Sequence, residues 1–173
     1  MTKKEFINAV ANGKTDVLQL FLDAVRQIGA EYCVIGGLAV NAYAEPVVSL
    51  DLDVVVAATD SDAVCQAVQK HFRIEHFAHS INLSSSESDL RIQLQTDSRY
   101  QEFIPNATVR SVLGYEMKVA TVDDVLRGKI WAYSDKQRRM SKRQKDLADI
   151  ARLIETYPDL AAKVPSEIRD KLE

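Results

Sequence analysis

"YCVIGGLAVNAYAEPVVSLDLDVVV", residues 32–56, places two glycines at the end of one apolar run and two aspartates inside the next. The first run predicts a short buried strand ending at Gly36 and Gly37. "LAVNAYA" then has room for about two helical turns before Pro46 stops them. "VVSLDLDVVVA" reads as a second strand through its β-branched residues and its alternation. Residues two apart in a strand point the same way, so Asp51 and Asp53 share one face while Leu50, Leu52 and Val54 face the core. Ionised carboxylates in an apolar setting are costly unless something pairs with them. A pair on one face suits Mg²⁺, which takes hard oxygen ligands and fills its other positions with water and substrate phosphates. Gly36 and Gly37, at a strand-to-helix junction, offer backbone N–H groups to a phosphate oxygen.

Outward from this stretch, "TKKE" at residues 2–5 has the form of a capping box and predicts a helix to about residue 11. Val17, Leu18, Leu20, Phe21, Val25 and Ile28 recur at helical spacing, with Gly29 as the stop. "TDSD" is expected to cap a helix over residues 61–72. "RIEHF" and "SINLSS" read as a meander, and "DLRIQLQT" sets Leu90, Ile92 and Leu94 against Arg91, Gln93 and Gln95. "TVRSVLGYEMKVA" suggests a hairpin turning near Gly114. Thr121 with Asp124 opens a helix carrying Leu126, Ile130 and Trp131. Ser141 is expected to cap another, with Leu147, Ile150, Ala151 and Ile154 on its apolar face, ending before Pro158. "PSEIRDKLE" makes a last short helix. The order predicts an α/β (α+β) fold in a single domain. Its N-terminal helices span 1–29, a mixed β-sheet core spans 30–120 and C-terminal helices span 121–173.

A hydrophobic fraction of 46% with 27% charged residues fits a soluble globular chain of 173 residues. No apolar run is long enough to span a membrane and the N-terminus lacks a secretory stretch, so a cytoplasmic location is expected. The net charge of -3 argues against indiscriminate nucleic-acid binding. Yet residues 127–145 hold eight of the 22 Lys and Arg residues and one acid, Asp135. Cys33 and Cys65 are expected to be reduced, buried thiols. His71, His76 and His79, and the aromatic Tyr32, Tyr43 and Trp131, are expected in ordinary structural roles.

"IGG" at 35–37 followed by "DLD" at 51–53 resembles the signature of the polymerase-β-type nucleotidyltransferase superfamily. "LRGKIWA" with Lys129, and "KDLADIARL" with Lys145, Asp146 and Asp149, resemble later elements of its small stand-alone bacterial AbiEii toxin-like group. The resemblance spans roughly residues 30–155 and implies a nucleotidyltransferase-type mixed sheet flanked by helices. It implies transfer of a nucleoside monophosphate from a nucleoside triphosphate to an acceptor. By position, Gly36, Gly37, Ser49, Lys129 and Lys145 would bind nucleotide, Asp51 and Asp53 would hold Mg²⁺, and Asp51, Asp53 and Lys129 would be catalytic. Asp146 would orient Lys145 or cap surface charge. RNA or a protein could be the acceptor, and a cognate antitoxin-like protein the partner.

Two positions depart from that pattern. The superfamily's third carboxylate, on a neighbouring strand, corresponds to Gln93, which cannot carry negative charge or act as a base. Asp89 and Asp97 have the same strand parity but lie four residues away. Val47 stands where relatives carry arginine, so the phosphate grip is expected to be thinner. The alternative function is therefore a catalytically degenerate nucleotide- or RNA-binding domain.

Overall fold

The alternating stretches meet in one seven-stranded mixed sheet in the computed structural model, which describes residues 1–173. Its strands are β1 (Tyr32–Ile35), β2 (Asp51–Val56), β3 (Arg73–His76), β4 (Ser80–Ser85), β5 (Ser88–Gln95), β6 (Thr108–Val112) and β7 (Tyr115–Val119). The spatial order is β3-β4-β5-β2-β1-β7-β6. β2 runs parallel to β5 and β1 parallel to β7; the other pairs are antiparallel. The helices are α1 (Lys3–Val10), α2 (Val17–Gln27), α3 (Gly36–Val40), α4 (Ser61–Val68), α5 (Val122–Ser134), α6 (Met140–Thr156) and α7 (Ser166–Arg169). No helix is long and apolar enough to cross a membrane.

A single apolar cluster of 42 buried residues runs from Ala11 to Ile168. Phe21 and Leu22 of α2, Leu52 of β2 and Ile92 of β5 are fully buried in it. Each such side chain contributes about 1.5–3 kcal/mol through the water it sheds. α5 and α6 pack on each other and on α3, which leaves the heads of β1 and β2 beneath them.

Local signals explain most boundaries. Thr2 Oγ1 accepts from Glu5 N while Thr2 N donates to Glu5 Oε2, so the capping box forms. Leu113 and Gly114 both take positive φ, 51° and 86°, the geometry of a two-residue hairpin turn matched to strand twist. Thr121 Oγ1 accepts from Asp124 N at the head of α5.

Elsewhere tertiary partners override local pattern. α4 ends at Val68, short of residue 72, and Asp60 does not cap it; its carboxylate accepts from Glu31 N at 2.9 Å. β2 begins at Asp51, leaving Val47 and Val48 exposed. The Asn41 carboxamide bonds both N and O of Val47, holding residues before β2 off the sheet. Ser141 lies inside α6, whose N-cap residue Arg139 makes no side-chain cap bond. The buried residues of α6 are Asp146, Asp149, Ile150 and Leu153, a stripe rotated from the expected Leu147-Ile150-Ala151-Ile154 face. Cys33 is buried, which pushes its thiol up to about 12, whereas Cys65 is only half-buried.

Candidate functional site

The register of β2 against β1 and β5 builds the floor of the site. Asp53 stands opposite Ile35 on one side and Gln93 on the other, and Asp51 stands opposite Arg91. A cavity of about 380 Å³ opens above them, walled by α5 and α6. Gly36, Gly37, Ser49, Asp51, Asp53, Gln93, Lys129 and Lys145 all line it, so residues scattered from 36 to 145 converge. Gly36 takes φ +72, and a Cβ there would meet Asp53 Oδ2 at 2.3 Å. Only glycine lets the chain turn from β1 into α3 with the carboxylate so close.

The two aspartates differ in charge environment. Asp51 Oδ1 lies 3.0 Å from Arg91 Nε and Oδ2 3.0 Å from Lys142 Nζ. Partial burial opposes its ionisation, but the bond and charge of Lys142, with Arg91 and Lys145, more than offset this and hold it below the usual carboxylate range. Asp53 goes the other way. Burial raises it, and the nearby Asp51 charge adds to that against the pull of Lys129, Arg138 and Lys145.

α5 and α6 close the site through buried charge. Lys129 Nζ donates to Asp146 Oδ1 at 2.9 Å and forms an ion pair with Asp149 Oδ2 at 2.7 Å. Burial alone would lower the Lys129 ammonium, but Asp149 and Asp146 outweigh it and hold its pKa up. Arg138 completes Asp146 from the cavity side, and Arg152 completes Asp149. Lys129 therefore lines the cavity with its ammonium held by two aspartates. Asp146 does not orient Lys145, and it is buried, not at the surface. Lys145 Nζ instead reaches Ser49 Oγ at 3.4 Å and comes within 3.7 Å of where a Gly37 Cβ would sit.

Neither distant aspartate enters the cavity. Asp89 accepts from Asn12 at 2.6 Å, and Asp97 is clamped by Arg99. The structure brings no group of three or more His, Cys, Asp or Glu side chains together as a metal site. Of the basic segment, Arg143 donates to Tyr133 O, and Arg139 does not line the cavity. Sequence reasoning missed Arg91, Arg138 and Lys142, which supply cations that Val47 cannot. Arg91 could have been found by its parity with Gln93, and Lys142 by its three-residue spacing from Lys145 on one helix face. Tyr100 also lines the cavity; burial pushes its phenol up to about 12.

No protein-family model and no curated protein sequence matches the chain. Solved structures do, and the class of fold they define is that of nucleotidyltransferases. The aminoglycoside-modifying ANT(2'')-Ia, crystallised with adenylyl-2''-tobramycin, matches with TM-score 0.64 at 12% identity, covering 91% of this chain and 97% of that one. The lincosamide antibiotic adenylyltransferase LnuA, lincomycin-bound, matches with TM-score 0.57 at 12% identity, covering 82% and 98%. An antigenic nucleotidyltransferase-like protein from Paracoccidioides brasiliensis matches with TM-score 0.51 at 15% identity, covering 84% and 89%. At these identities the likeness shows the fold.

Proposed function

We propose that the chain is a nucleotidyltransferase that moves a nucleoside monophosphate from a nucleoside triphosphate to an acceptor hydroxyl. The observation that carries this reading is the juxtaposition of the Gly36-Gly37 turn, the Asp51/Asp53 pair and Lys145 around one cavity. Lys145, Lys142 and Arg138 would bind triphosphate oxygens, as charge-assisted hydrogen bonds to phosphate are strong. The donor set suits Mg²⁺: two carboxylates on one strand face, one of them, Asp53, desolvated and repelled by its neighbour. Asp51 and Asp53 would hold the ion, which would supply positive charge against the phosphates. In transfer, the acceptor oxygen bonds to the α-phosphorus as the bond to pyrophosphate breaks, and the hydroxyl proton leaves to solvent.

Calorimetric titration with each of the four nucleoside triphosphates, with and without Mg²⁺, tests this. Metal-dependent binding that disappears in Asp51→Asn/Asp53→Asn is expected. No binding by any triphosphate would refute the reading.

One observation favours a second reading. Gln93, not an acid, stands opposite Asp53, and neither Asp89 nor Asp97 compensates. A domain that binds nucleotide without transferring it would bind in the same titration and release no pyrophosphate. The AbiEii toxin-like role, with an antitoxin-like partner and an RNA or protein acceptor, rests on the resemblance alone. Growth arrest on induced expression, relieved by the double substitution, is its expected outcome.

A further inference from the structure

The cavity floor continues past the aspartates across β5, β4 and β3. Gln93 stands opposite Asn82, and Asn82 opposite Glu75, so with Asp53 one side chain from each of four adjacent strands lines the cavity in a single row. At about 4.8 Å per strand step, the row from Gln93 to Glu75 extends about 10 Å. Asn82 Oδ1 is buried, and no donor in the chain reaches it. A buried carbonyl oxygen of this kind calls for a donor, and a turn of the half-buried Asn82 carboxamide toward the cavity it lines would offer the atom to one from outside the chain. The cations beside the row pair with carboxylates, Arg91 with Asp51 and Arg73 with Glu75 at 2.7 Å. No aromatic side chain stands in the row to stack a base.

We propose that this row is the acceptor subsite and that the acceptor is a small polyhydroxyl compound of sugar type. The proposal rests on the nucleotidyltransferase reading. Hydroxyl groups donate and accept, which matches two carboxamides and a carboxylate set side by side. A hydroxyl donating to Asn82 Oδ1 satisfies the orphaned atom, and its neighbour on the same ring lies beside Gln93, next to Asp53. A nucleic-acid backbone would instead bring phosphates against the Glu75 carboxylate, which repels them.

The test is NMR on the ¹⁵N-labelled chain, reading the side-chain NH₂ signals of Asn82 and Gln93 and the backbone amides of Gly36 and Gly37. The probes are a panel of neutral mono- and disaccharides and cyclitols, a single-stranded RNA hexanucleotide, and ATP with Mg²⁺. Saturable shifts of both carboxamides with at least one panel sugar, and none with RNA, are expected. Asn82→Leu is expected to weaken that response at Gln93 at least tenfold while leaving the ATP response of Gly36 unchanged. No sugar response, an RNA response at these carboxamides, or an undiminished sugar response in Asn82→Leu would overturn the proposal. Glycine amides that ignore ATP would instead refute the nucleotide reading, whatever the sugars do.

Discussion

Replacing Lys129 by methionine separates a catalytic lysine from an architectural one. The side chain is 7% exposed, and its partners Asp146 and Asp149 are 1% and 5% exposed. At an effective dielectric of about 20, each contact near 2.8 Å is worth about 6 kcal/mol of attraction before desolvation. Desolvation of the three charges cancels most of that, and breaking a buried pair typically costs about 3–5 kcal/mol. Arg138 and Arg152 remain to hold the two aspartates, so the lower end, about 3 kcal/mol, is expected. With a urea slope of about 2 kcal/mol/M, the unfolding midpoint falls by about 1.5 M. Triphosphate affinity, measured well below that midpoint, should change less than threefold, because Lys142, Lys145 and Arg138 are the proposed phosphate contacts. Unchanged urea stability together with a collapse of triphosphate binding would refute the reasoning and return Lys129 to the phosphate.

Three further outcomes are expected. Gly36→Ala forces a side chain into a left-handed conformation against Asp53 and should cost about 2 kcal/mol in chemical denaturation, with triphosphate affinity falling about tenfold or more by calorimetry. Asp53 is held above its ordinary 3.8, so the folded state binds its proton more tightly and stability falls as pH rises from that value through the raised one. Asp53→Asn should therefore melt at a higher temperature than the parent at pH 7 without metal, with the difference closing near pH 3. Equal gains at both pH values would refute the assignment. Gln93→Asp places a third carboxylate opposite Asp53 and should tighten Mn²⁺ binding about tenfold, about 1.4 kcal/mol, by electron paramagnetic resonance.

The sheet core was legible because its signals are local. Alternation at Leu90, Ile92 and Leu94 sets the strand face whatever packs on it, and the glycine pair marks a turn that a side chain would block. Gln93 was picked out by the resemblance alone, and the register of β5 against β2 sets it opposite Asp53. Long-range charge was not legible. Lys129, Asp146 and Asp149 sit on the buried stripes of α5 and α6, where hydrophobic periodicity counts them as solvent-facing, so the predicted face of α6 came out rotated. Their partnership spans 17 or more residues and exists only once the two helices pack. Val47 and Val48 misled in the opposite direction. Their β-branched side chains read as strand, but at Val47 the carboxamide of Asn41 supplies the hydrogen bonds that a sheet neighbour would have offered.

The charges around the cavity fall into two populations that ionic strength will tell apart. Lys142 and Arg91 meet Asp51 with side chains 39% and 66% exposed, within reach of mobile counterions. At about 1 M salt the screening length contracts to about 3 Å, comparable to those contacts themselves. The Lys129 cluster is shielded, its lysine and two aspartates 7%, 1% and 5% exposed, so counterions screen it far less. Raising the salt should therefore loosen the cations over Asp51 while the seam between α5 and α6 keeps its register. The same molecule would then carry a salt-tunable mouth on a salt-blind frame.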